Sequence, residues 1–117
     1  MTVSVAGTID FIAHDPAHDE ALLVMVEDRG WGDAGTLLPD LEAKLNVYLD
    51  YVTSGQLQAA YPDLVDKPIH FQLRSLERPG KRELEYLRVV ATQDLSPRGI
   101  RLSFKVIGET LENAVNA

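Results

Sequence analysis

The sequence predicts a two-layer α/β (α+β) domain in which two main helices cover one face of a mixed four-stranded sheet, in the order β-β-α-β-α-β. Three observations lead to this. Apolar residues alternate with a period of two in four short runs, as strands require, and recur at spacings of three and four in two longer runs, as amphipathic helices require. Glycine, proline and acidic turn formers separate the runs. Each helical run stands between two strands, and strand–helix–strand connections are normally parallel and right-handed.

The first strand rests on Ile9, Phe11 and Ala13, and Leu22, Val24 and Val26 resume the same period after His14-Asp15-Pro16-Ala17-His18-Asp19-Glu20. Two β-runs around a polar turn predict a hairpin. The second run, ALLVMV at 21–26, is apolar on both faces and suits a central strand. Residues 28–35 hold three glycines and two aspartates and read as a loop. A helix then begins near Thr36, with Pro39 in its first turn and Asp40 and Glu42 toward the positive end of its dipole. Leu38, Leu41, Leu45, Tyr48, Leu49 and Val52 form its apolar stripe, and Gly55 stops it. A short helical turn follows at 56–61.

Ile69, Phe71 and Leu73 alternate with His70, Gln72 and Arg74, which predicts a third strand with one wet face. Residues 81–95 carry Leu84, Leu87, Ala91 and Leu95 at helical spacing, and Ser96-Pro97-Arg98-Gly99 breaks that helix. Ile100, Leu102, Phe104 and Val106 then alternate with Arg101, Ser103 and Lys105 as a fourth strand. Strands two, three and four should run parallel, with strand one antiparallel beside strand two. The chain reads as a single domain over 1–117, with a core at about 9–107 and a tail or short terminal helix at 108–117.

Composition narrows the function. A net charge of -7 disfavours a general grip on nucleic acid or on an anionic membrane, both of which select basic surfaces. With no cysteine there is no disulfide, zinc–thiolate site, iron–sulfur cluster or cysteine nucleophile. Residues 1–13 lack the basic and apolar regions of a signal peptide, and the longest apolar run is far shorter than the about 20 residues that cross a bilayer, so a cytoplasmic location is expected. No P-loop, Gly-x-Gly-x-x-Gly, Gly-x-Ser-x-Gly or His-Glu-x-x-His is present, and no cofactor is expected. The three histidines have no obvious serine nucleophile near them in sequence.

The sheet face that the helices leave uncovered is the most informative expectation. With Phe11, Val24, Phe71 and Phe104 toward the helices, alternation gives the other face Asp10, Ile12, Leu23, Met25, Glu27, His70, Gln72, Arg74, Arg101, Ser103 and Lys105. An apolar patch bordered by cations marks an interaction surface, with Leu23, Met25, His70, Arg74 and Arg101 as partner-binding residues and a second copy of the chain as the favoured partner. The competing explanation is that the tail or the loop around Trp31 folds over Leu23 and Met25.

Three constellations offer chemistry. Asp10 with Glu27 and Arg29 resembles the hairpin carboxylates of metal-dependent nucleases, but arginine stands where a proton-losing lysine belongs, and isolated acid pairs are common in so acidic a chain. His14, His18 and Asp19 crowd the hairpin turn as metal-ligand candidates, although Pro16 argues against a helix that would align the imidazoles, and a solvated polar turn accounts for them better. Trp31, between glycines and close to Arg29, should meet 74–78 and 105–108 beyond the C-terminal ends of the parallel strands, where α/β folds gather ligands. A hydrophobic plug over the helix N-terminus accounts for it better.

The segments IDFIAHDP, LLVMVEDRGW and LEAKLNVYLDYVTSGQLQAAYPDL together resemble a family of short bacterial proteins known only as a domain of unknown function. Val26-Glu27-Asp28-Arg29 with Trp31, Lys44-Leu45-Asn46 with Tyr48, and Gly55-Gln56-Leu57 carry the resemblance, which spans about 9–106. It implies a stand-alone domain of this size and order and assigns no catalytic residue or ligand. The sequence therefore favours a non-catalytic protein-binding or self-associating module, with a metal-dependent hydrolase or nuclease-like enzyme using Asp10 and Glu27 as the alternative.

Overall fold

The hairpin forms where the alternation places it. In the computed structural model, which describes residues 11–27 and 37–116, β1 (Phe11–Asp15) pairs antiparallel with β2 (Glu20–Glu27), Phe11 opposite Val24 and Asp15 opposite Glu20. The turn is polar for a structural reason. The Asp15 carboxylate accepts the Ala17 backbone N–H at 3.0 Å, and Asp19 adopts a left-handed φ of 53°, which aspartate tolerates better than most residues.

After α1 (Leu37–Thr53), Gly55 turns the chain with φ 89° into the short α2 (Gln56–Ala60) and a 3-10 turn at Pro62–Leu64. β3 (Ile69–Ser75) follows, then α3 (Lys81–Val90), whose last turn widens at Ala91–Leu95 before Pro97 and Gly99 end it. β4 (Ile100–Val106) completes the parallel part of the sheet. β2, β3 and β4 are parallel neighbours, as strand–helix–strand connectivity predicts.

The tail corrects the four-stranded expectation. Gly108, with φ 90°, turns the chain back along β4, and Asn113–Ala114 pair antiparallel with Phe104 and Ser103 as β5. The Asn116 side chain extends the ladder, accepting the Leu102 N–H at 2.7 Å and donating to the Ile100 carbonyl at 3.0 Å. The tail is thus a strand rather than a helix, and the sheet order is β1-β2-β3-β4-β5.

One apolar cluster joins the helices to a single sheet face: Leu41, Leu45, Tyr48 and Val52 of α1, Leu57 of α2 and Leu87 of α3 pack with Phe71, Leu73, Leu102 and Phe104. Here the expected facing of β1 and β2 fails. Leu23 and Met25 are fully buried in that cluster, inside the fold rather than on its surface; Phe11 and Val24 lie on the helix-free side. The parallel ladder sets Leu23 beside Phe71 and Met25 beside Leu73, and laterally paired residues share a face. ALLVMV is apolar at both parities, so its alternation carries no phase, and a one-residue shift exchanges the two faces. β3 and β4 face as expected, with His70, Gln72, Arg74, Arg101, Ser103 and Lys105 away from the helices. Among the described residues, no helix is long and apolar enough to cross a membrane.

Candidate functional site

On the helix-free face, register brings together residues far apart in sequence. His70 of β3 lies beside Arg101 of β4, Ser103 is one step further along β4, Glu20 opens β2, and the tail delivers Glu112 from above. The Arg101 guanidinium is divided between two carboxylates. Its Nε and Nη2 donate to Glu20 at 3.2 and 2.9 Å, and its Nη1 donates to Glu112 at 2.8 Å. Such charge-assisted, two-pronged contacts hold a planar guanidinium in one orientation.

Arg101 Nη2 also lies 3.0 Å from His70 Nδ1. An arginine only donates, so Nδ1 accepts and the ring proton sits on Nε2. That atom faces Ser103 Oγ at 2.6 Å and Glu112 Oε1 at 3.1 Å, while the Ser103 hydroxyl donates to the Glu112 carboxylate. Burial pushes the imidazole below its ordinary value of 6.5, and the Arg101 charge adds to this against Glu112, Glu20 and Asp15. His70 is neutral at pH 7, as the hydrogen bonds require. Burial alone would raise the Glu112 carboxyl, but the Ser103 hydrogen bond, the neighbouring His70 and Arg101 together outweigh it and hold the group below its usual 4.5.

Ser103, His70 and a carboxylate have the composition of a nucleophilic triad. Their placement does not serve that chemistry. Ser103 is 0% and His70 1% exposed, and the serine proton points to Glu112. A base must take that proton while the oxygen meets a substrate, and nothing can approach this oxygen. Asp15, Glu20 and His70 also offer ligand atoms within 4.8 Å of one another, the spacing of a metal site. Arg101 Nη2, at 2.9 Å from Glu20 Oε1 and 3.0 Å from His70 Nδ1, already stands as the cation among them. Through Glu112 the network joins the tail to the sheet.

The other candidate residues are dispersed. His14 pairs with Asp19 at 2.8 Å and His18 with Asp15 at 2.9 Å, so the two imidazoles meet different carboxylates. Lys67 supplies a cation to Asp19 at 2.9 Å. Glu27 is fully buried and, from its register opposite Ser75, shares the helix-facing side with Leu23 and Met25. Asp10, Arg29 and Trp31 lie outside the described residues. Arg74 sits beside Lys105, further along β3 from His70.

Sequence reasoning missed Glu20, Glu112 and the pairing of Ser103 with His70. Alternation placed Ser103 and His70 on one face, but their contact depends on register, and Glu112 belongs to a tail with no periodic signal. Of the residues that carry the family resemblance, Glu27, Lys44, Leu45, Tyr48 and Leu57 are buried, while Asn46, Gly55 and Gln56 are exposed. The Tyr48 hydroxyl donates to the Val24 carbonyl across the helix–sheet seam, and its ring meets Phe71 edge-on at 5.7 Å. Lys44 Nζ lies 5.8 Å from the Tyr48 ring centroid. No curated protein and no solved structure matches the chain. A family model covers residues 1–108, ending where the tail turns back along β4, and the chain belongs to that family, described as a family of unknown function (DUF6572).

Proposed function

We propose that the chain is a non-catalytic binding module that associates with a second copy of itself through the β1 side of the helix-free sheet face. The observation that carries this is Phe11, 50% exposed on that face, with partly exposed Leu22 and Val26 on the neighbouring strand. These residues replace Leu23 and Met25 as the apolar half of the surface. Among the described residues, β1 pairs on one side only, with β2. An edge strand presents unsatisfied backbone groups, and a two-fold axis beside it lets the same strand from a second chain satisfy them. The sealing of Ser103 and His70 supports a role without catalysis.

Sedimentation equilibrium at several protein concentrations tests the reading. Wild type should reach dimer mass, and Phe11→Glu should sediment as a monomer with an unchanged circular dichroism spectrum. A wild type that is monomeric throughout would refute self-association. Saturable heat on titration with magnesium or manganese would instead favour the metal-dependent alternative.

A further inference from the structure

Arg74 and Lys105 form a second concentration of charge, separate from the histidine network. They are in-register neighbours on the parallel strands β3 and β4, on the helix-free face, where adjacent strands lie about 4.8 Å apart. Like charges side by side on neighbouring strands repel. Two other cations of the fold meet carboxylates: Arg101 has Glu20 and Glu112, and Lys67 has Asp19. Among the described residues Lys105 has no ion pair, and Arg74 makes only a hydrogen bond from Nε to the Gln72 side-chain oxygen at 2.7 Å. That bond steadies the guanidinium and leaves its terminal nitrogens unused, with the geometry that grips a carboxylate or phosphate.

A groove of about 330 Å³ opens here, lined by Arg74, Lys105, Val106, Ile107, Gly108 and Glu109. It sits at the C-terminal ends of β3 and β4, the end of a parallel sheet where α/β folds collect ligands. Gly108 turns the chain at its wall with φ 90°, a conformation that a side chain would strain. Val106 and Ile107 give it an apolar strip, and among the described residues Glu109 is the one acid that lines it.

We infer that this groove binds a small organic anion, its oxyanion group held between Arg74 and Lys105 and its apolar portion along Val106 and Ile107. The inference is independent of self-association, because Phe11 is not among the groove's lining residues. Carboxylate and phosphate share the required chemistry, so isothermal titration calorimetry of the full chain at low salt uses succinate in one arm and inorganic phosphate in the other. Saturable binding of either in the millimolar range is expected, weaker at high salt. Lys105→Gln and Arg74→Gln should each weaken it about tenfold, as loss of one charge-assisted contact does. Phe11→Glu should leave it unchanged.

A melting temperature measured without ligand separates binding from structure. Relief of repulsion should leave Lys105→Gln melting no lower than wild type. Failure of both anions to bind wild type, undiminished binding by the double variant, or a lower melting temperature for Lys105→Gln would each overturn the proposal.

Discussion

Acidification should unfasten the tail before it unfolds the rest, and His70 is the group that makes this measurable. The imidazole is neutral in the native state because burial and Arg101 depress its pKa below 6.5. In the unfolded chain it titrates at its ordinary value. Between 6.5 and the lowered native value the unfolded state therefore holds up to one proton more than the native state, and stability falls as pH falls. One proton sets a limiting slope of about 1.4 kcal/mol per pH unit. With a urea m-value of about 1–3 kcal/mol/M for a small domain, the unfolding midpoint should drop by roughly 0.5–1.4 M per pH unit in that window. Above 6.5 the His70 contribution is constant. Urea titrations of wild type and His70→Gln at half-unit steps bring out this effect, compared above the range in which the neighbouring Glu112 titrates. A wild-type slope equal to that of the variant, or a His70 ring that titrates by NMR at or above 6.5, would refute the reasoning. A second loss should begin below 4.5, as protonation removes the Glu112 carboxylate that Arg101 and Ser103 hold.

The corrected facing of β2 and the fastening of the tail give two further predictions. Leu23→Ala should destabilise the fold by about 2–5 kcal/mol in urea titration, because it opens a cavity in the core rather than trimming a surface; a change under about 0.5 kcal/mol would return Leu23 to the surface. Glu112→Ala leaves the buried Ser103 hydroxyl without its acceptor and should cost about 1–3 kcal/mol. The same variant should speed hydrogen exchange at the Val115 amide, which donates to the Leu102 carbonyl at 2.9 Å, while the Phe71 and Leu73 amides stay protected. Equal acceleration throughout the sheet would mean that the tail does not open on its own.

What was legible in the sequence followed from local periodicity. The apolar stripe of α1 predicted the burial of Leu41, Leu45, Tyr48 and Val52, and strict alternation in β3 and β4 predicted which side of each strand meets the helices. Where polar and apolar residues alternate, one parity is right and the other buries charge, so the face is readable. β2 offered no such contrast. Leu22 and Val24 are as apolar as Leu23 and Met25, and only pairing with Phe71 and Leu73 chooses between the two sets.

The site was less legible for a related reason. His70, Arg101 and Ser103 were placed on one face, but Glu20 stood in a polar turn and Glu112 in an aperiodic tail. Lys44 sits in the core, its ammonium over Tyr48, and carries no periodic signal that would mark it as internal. By itself the sequence determined the order of elements, the parallel run of the three central strands and the acidic, cysteine-free chemistry, because propensity, turn formers and connection rules act over a few residues. The phase of β2, the pairing of the tail as β5 and the meeting of His70 with Ser103 and two glutamates were decided only by tertiary structure, because inter-strand register fixes them and register is a relation between segments.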